Sequence, residues 1–207
     1  MLTPPKPTRT YENVPAATHP ARLYQIIHLG TTHYEYKGEM KTSDKVRLTF
    51  ELPLELREFG EDKIMKPMVI SREFGFTMGK KSHLRPFVEG IIGAALTDEE
   101  AYAFDIEQLL GETCLLSVVH EVGKDGNTYA NIQSASALIK GMTVPEATNK
   151  PVIIDVNTAT MEEIDSLPEF LRNKMKASDE YKARFGGGRT PIDFEPKDTV
   201  TAEDSPF

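Results

Sequence analysis

The sequence predicts a mainly β fold: a small five-stranded barrel with a helical segment inserted between its third and fourth strands. Three observations carry this expectation. KVRLTFELP, residues 45–53, alternates Val46, Leu48, Phe50 and Leu52 with Lys45, Arg47, Thr49 and Glu51, a period of two with one apolar and one polar face. LTDEEAYAFDIEQLLG, residues 96–111, reads as helix, with Thr97 as N-cap, acids in the first turn and Gly111 just past the end. ETCLLSVVHEV (112–122) and NTYANIQSASALI (127–139) are two strand-forming runs joined across GKDG, whose Asp125-Gly126 suits a hairpin turn.

The remaining elements follow in chain order. The first 20 residues hold five prolines and little apolar periodicity, so residues 1–13 are expected to form an extended arm. ARLYQIIHLG (21–30) is rich in β-formers and ends at a glycine, which makes it the first strand. The stretch that follows, GTTHYEYKGEMKTSD, reads as a loop with a hairpin tip at Lys37-Gly38. Pro53 closes the second strand, and an acidic loop over 55–63 leads to the third, KPMVISREFGFTM (66–78). There Met68, Ile70, Phe74, Phe76 and Met78 share one parity, interrupted by Arg72, and Gly75 marks a bulge. The order β-β-β-α-β-β over residues 14–141 is that of the OB-fold, a five-stranded Greek-key barrel whose ligands are oligonucleotides and oligosaccharides. Beyond Gly141, residues 142–185 read as a mixed linker and a helix (167–185) with Phe170, Leu171, Met175 and Tyr181 apolar. Residues 186–207 read as a disordered acidic tail.

Composition narrows the classes. In 207 residues, 39% hydrophobic and 27% charged residues describe a soluble polar protein long enough to bury a core. No window approaches 18 uninterrupted apolar residues, so no membrane span is expected, and the opening residues lack the apolar region of a secretory signal. A lone Cys114 in the apolar run TCLLSVV reads as a buried thiol in a reducing compartment, the cytoplasm. The net charge of −8 hides an uneven distribution. Between Lys66 and Phe87 five bases face the single acid Glu73, whereas residues 97–112 hold six acids and no base. A basic face on an acidic chain remains compatible with an anionic ligand.

No enzyme signature survives inspection. FGFTMGKKS has only three residues between Gly75 and Gly79, and Lys81 stands where a phosphate loop needs Ser or Thr. PIDFEPK places Asp193, Glu195 and Lys197 in a proline-flanked tail with no strand to position them. Of His19, His28, His33, His83 and His120, none pairs at a metal-binding helical spacing, so neither metal nor cofactor is expected. VNTATMEEIDSLP (156–168) resembles the opening of a helix-hairpin-helix DNA-binding module. Glu169, Phe170 and Leu171 stand where that module's hairpin glycines belong, and a short helix, packed on the barrel or mobile, is the better reading.

The basic stretch is the candidate site. In SREFGFTMGKKSHLRPF, Arg72, Lys80, Lys81 and Arg85 interleave with Phe74, Phe76 and Phe87, the mixture that holds single-stranded nucleic acid through phosphates and stacked bases. Phe76 and Phe87 read as core rings. Lys45 and Arg47 on the second strand would lie beside the third on the solvent face, and the first loop adds Tyr34, Tyr36, Lys37 and Lys41. Tyr129, just after the last turn, supplies a further platform. In an OB-fold the face of strands 2–3 and the loops joining strands 1–2 and 4–5 form the groove.

The chain ends TAEDSPF, and a terminal ring gains little unless a partner buries it. This ending resembles the acidic tip of bacterial single-stranded DNA-binding proteins, which implies Glu203, Asp204, Pro206 and Phe207 as partner-binding residues. VPAATHPARLYQIIHLGT, ISREFGFTMGKKSHLRPFVE, FDIEQLLGETCLLSVVHE and LPEFLRNKMKASDEY are similar to a family of phage-encoded single-stranded DNA-binding proteins. That resemblance implies a non-enzymatic protein coating single-stranded DNA in replication or recombination, recruiting proteins of those processes through the tip. A homo-oligomer is compatible with it. The rival expectation is an OB-like phage adaptor or inhibitor whose basic face meets a host protein.

Overall fold

The computed structural model describes residues 12–59 and 63–186. Six strands form one sheet: β1 (Thr18–Tyr36), β2 (Glu39–Phe59), β3 (Ile64–Gly75), β4 (Thr113–Val122), β5 (Thr128–Ala137) and β6 (Val152–Asp155). The order β3-β2-β1-β4-β5 is antiparallel throughout. β1 pairs with β4 over Thr18–Arg22 and then, on the same side, with β6 in parallel over Gln25–His28. Between β3 and β4 lie α1 (Leu84–Ile92), α2 (Asp98–Ala103) and a 3-10 turn at Ile106–Leu109. After β6 come α3 (Met161–Ser166), α4 (Glu169–Lys176) and α5 (Asp179–Phe185). The chain is mainly β, as its sequence predicts.

The alternation in β2 does what a period of two demands. Val46, Leu48, Phe50 and Leu52 are all fully buried and share one core with Leu84, Phe87, Val88 and Ile91 of α1. Each such side chain stabilises the fold by about 1.5–3 kcal/mol relative to exposure. The Phe87 ring anchors the helix, edge-on to Phe50 at 5.9 Å and tilted against Phe74 at 4.8 Å. Gly90 lets α1 lie directly on β5, since a Cβ there would collide with the Ala135 carbonyl oxygen. Cys114 is buried in this core, and burial pushes its thiol up to about 12, leaving it unreactive.

The middle of β1 sends apolar side chains to both faces, which explains why Ile26 and Ile27 are adjacent and both buried. Ala21, Leu23 and Ile26 enter the main core, whereas Ile27 and Leu29 enter a second core with Ile154, Val156, Ile164, Leu171 and Met175. A register shift between Leu23 and Gln25 changes the parity, so Ile26 rather than Gln25 continues the inner row.

Several expected boundaries move. β1 and β2 run on to the Lys37-Gly38 turn, so the predicted loop is itself a ladder. Pro53 does not end β2; it sits in the register shift between Leu52 and Leu56, where no ladder hydrogen bond is required of it. The helix expected over 96–111 breaks at Phe104, which is extended, although Thr97 caps its start as predicted. The expected linker contains β6, and the expected helix over 167–185 is two helices, α4 and α5, with α3 preceding them.

The region after β5 is fastened to the sheet by polar contacts. The buried Glu51 carboxylate accepts from the backbone N–H groups of Thr148 (2.9 Å) and Asn149 (2.7 Å). Arg22 donates to the carbonyls of Gly111 and Pro145. His28 Nε2 meets Asp44 on β2 and its Nδ1 meets Asp155 on β6, each at 2.8 Å. Burial lowers the His28 pKa, but the two carboxylates outweigh it and raise it to about 9.

Candidate nucleic-acid interface

The β1–β2 hairpin brings one group of predicted residues together. Lys37 (φ 54°) and Gly38 (φ 81°) form its two-residue turn, with positive φ at both central positions matching the twist of the strands. Tyr34 pairs across the ladder with Lys41, and Tyr36 with Glu39. Both tyrosine rings are about half exposed, at 46% and 50%. The ammonium groups of Lys41 and Lys37 stand 4.8 Å and 5.5 Å from the centre of the Tyr36 ring. The arrangement offers a flat ring with positive charge beside it, exposed at the end of the hairpin.

Lys45 lies at the foot of this hairpin, half-buried and opposite Gly30 and Gly75. The loop that follows β3 starts there, held by the Phe76 N–H donating to the Asp44 carbonyl at 2.9 Å. It carries Lys80 and Lys81, both exposed; Lys80 pairs with Asp98 at 2.9 Å, a solvent-screened contact of little strength. Phe76 is not the core ring expected. It is 38% exposed and lies against His28 at 4.9 Å.

Other predicted residues hold the fold together. Arg72 stands on the inward row of β3, opposite Leu48, and crosses the gap to β5. Its Nη1 donates to the carbonyls of Ile132 and Gln133, both at 2.9 Å, and its guanidinium lies over the Phe74 and Phe87 rings. Phe74 is buried at 4% exposure and presents no ring to solvent. Arg85 is bound by Asp98 (2.8 Å), Glu89 (3.1 Å) and the Leu96 carbonyl, and the carboxylates raise its pKa further. Of these three, Phe74 turns into the core rather than a groove, Arg85 is occupied by acids and a carbonyl, and Arg72 is committed to β5 while still lining a cleft beside Glu73. Tyr129 is exposed, but its hydroxyl donates to Asp125 and its ring lies on Gly123. β4 runs away from the Lys37-Gly38 turn, so Tyr129 stands at the opposite end of β1 from Tyr34 and Tyr36. Glu203, Asp204, Pro206 and Phe207 lie outside the described residues.

Arg47 occupies a different setting, one that the sequence did not disclose. It shares the Glu73 carboxylate with Lys174 of α4: Arg47 Nη1 is 3.0 Å from Oε1, and Lys174 Nζ is 2.7 Å and 2.8 Å from the two oxygens. Burial pushes the Glu73 carboxyl up, yet the bonds from Lys174 and Arg47 outweigh it and hold the group below its usual range. The Arg47 guanidinium also lies 5.3 Å from the centre of the Phe170 ring, and Phe170 is 51% exposed. Arg47, Arg72, Glu73 and Lys174 line a cleft of about 440 Å³. The signal for Phe170 and Lys174 was their spacing of four on one helix, a cation following a ring.

Among the described residues, no group of three or more His, Cys, Asp or Glu is arranged to hold a metal ion, and no helix is long and apolar enough to cross a membrane. No protein-family model matches the chain, and no curated protein matches it in sequence.

Proposed function

We propose that this chain binds single-stranded DNA, coating it during phage replication or recombination in the host cytoplasm. On this reading it performs no chemistry of its own and recruits other proteins through its C-terminal tip. The observation that carries the reading is the β1–β2 tip, where exposed Tyr34 and Tyr36 stand with Lys37 and Lys41 around one ring. Rings for stacking and cations for phosphates are what a sequence-tolerant site for unpaired strands requires. The architecture supports it as well. Strand order β3-β2-β1-β4-β5, with helices between β3 and β4, fits an OB barrel left partly open between β3 and β5.

A titration of labelled oligo-dT against a duplex of equal length tests the proposal. Preference for the single strand is expected, with log affinity falling against log salt by about 0.7 per phosphate contacted. Equal or absent binding rejects it. The rival, an adaptor that meets a host protein, is favoured by one feature: the β2–β3 hairpin exposes Leu54, Leu56, Ile64 and Met65. An adaptor shows no preference for single strands in the same titration.

A further inference from the structure

Arg47 and Lys174 converge on one carboxylate from two elements distant in sequence, with an exposed aromatic ring beside them. We infer that α4 completes a nucleotide subsite on the β2–β3 face: Phe170 stacks a base, and Arg47 and Lys174 take the adjoining phosphate in place of Glu73. The inference rests on the single-stranded DNA reading and adds to it a second contact point, supplied by the C-terminal helices.

The geometry has the parts this needs. The Glu73 carboxylate presents two oxygens to two cations, as a phosphate would, and occupies the position where a phosphate would sit. Lys174 is about half exposed, so its bond to Glu73 faces solvent and exchanges readily with an anionic ligand. Phe170 is half exposed although its helix is anchored by the buried Leu171 and Met175. Its exposure therefore does not come from a loose helix. Pro168 and the Thr160 capping box fix where α4 and α3 begin, which keeps the ring in place over Arg47. The cleft beside Glu73 reaches from Arg47 and Lys174 to Asn131 and Ile132 of β5, where Glu121 also lines it, giving a nucleotide room beside the ring.

The chain contains no tryptophan, so Phe170→Trp places a single reporter in the subsite. Oligo-dT titrated into the full-length variant is expected to quench its emission in step with binding followed independently by anisotropy of the labelled oligonucleotide. Phe170→Ala is expected to weaken oligo-dT binding about tenfold with an unchanged melting temperature. Glu73→Gln, which removes the resident anion, is expected to tighten binding at low salt and to steepen the log–log salt slope by about 0.7. If the unaltered chain binds oligo-dT while the emission of the Phe170→Trp variant stays constant and Phe170→Ala binds normally, the subsite is overturned and the single-stranded DNA reading stands. If the unaltered chain does not bind, both fall.

Discussion

The β1–β2 tip and the seam between β3 and β5 both join cations to aromatic rings, but they do so with opposite consequences. At the tip, Lys37 and Lys41 stand beside the exposed ring of Tyr36. At the seam, Arg72 lies over the buried rings of Phe74 and Phe87 and ties β3 to β5 by bonding backbone carbonyls of β5. Arginine suits the seam because one planar guanidinium reaches two carbonyls while its flat face rests on rings. On the proposed reading lysine suits the tip, because a compact ammonium on a flexible stem would hold a phosphate without a fixed geometry. The difference teaches that a basic, aromatic stretch of sequence mixes two kinds of residue, and only the fold separates them. Substitution at the seam should act on stability and substitution at the tip on affinity.

The sharpest way to break that separation is Arg72→Ala. Two bonds from a charged donor to half-shielded carbonyls disappear, at a cost of about 2–3 kcal/mol in unfolding free energy. Urea denaturation should show the loss, and Arg72→Lys should recover little of it, because a compact ammonium cannot rest flat on the Phe74 and Phe87 rings as the guanidinium does. A fully stable Arg72→Ala protein with a flattened salt slope for oligo-dT would put Arg72 in the groove after all.

His28 sits between the two extremes, at the foot of the tip but fully bonded. Asp44, Asp155 and the more distant Glu180 face it, with Asn157 and Phe76 alongside. Its folded pKa of about 9 lies above the ordinary value of 6.5, so its contribution is complete below pH 6.5 and fades as pH rises towards 9. Unfolding midpoints measured from pH 6 to about 9.5 should therefore fall across that window. His28→Asn should remove this portion of the fall and lower stability at pH 6. A midpoint equally pH-dependent with and without His28 rejects the assignment.

How much of this was legible in the sequence depended on how local the cause was. The β2 alternation, the Thr97 cap and the Lys37-Gly38 turn are set by neighbours within a few residues, and each could be read directly. The β4–β5 hairpin was legible too, although its turn centres on Lys124-Asp125, with Gly126 following at positive φ. Arg72 was visible as an interruption of an apolar row, but its partners are 60 and 61 residues away, and no local pattern names a carbonyl. β6 was hidden because four residues, VIID, make too short a run to stand apart from a linker. The split between α4 and α5 at Ala177 and Ser178 follows from the Ser178 hydroxyl capping α5 through the Tyr181 N–H, a signal that competed with an unbroken apolar spacing. The pairing of Phe170 with Arg47 needed the second core, which forms only once β6 and the C-terminal helices dock on β1.

At the tip, Tyr36→Ala should leave unfolding free energy within about 0.5 kcal/mol of the unaltered chain. The same change should weaken oligo-dT binding by about 1–3 kcal/mol if a base stacks on that ring. A drop in stability without a drop in affinity would return Tyr36 to the structural class and erase the contrast with Phe74.

The smallest expected effect sharpens the comparison most, because it separates charge from shape. Replacing Lys37 and Lys41 together by Ala keeps the Tyr36 ring and the Gly38 turn but removes both ammonium groups near it. If each contacts one phosphate, the log–log salt slope should become shallower by about 1.4, while affinity extrapolated to about 1 M salt stays nearly constant. Tyr36→Ala should do the reverse, lowering affinity at every salt concentration and leaving the slope alone. The two variants thus resolve the tip into an electrostatic and a stacking part. Should both change slope and intercept together, the lysines position the ring rather than the phosphate, and the tip would resemble the seam: cation and ring acting as one packed unit.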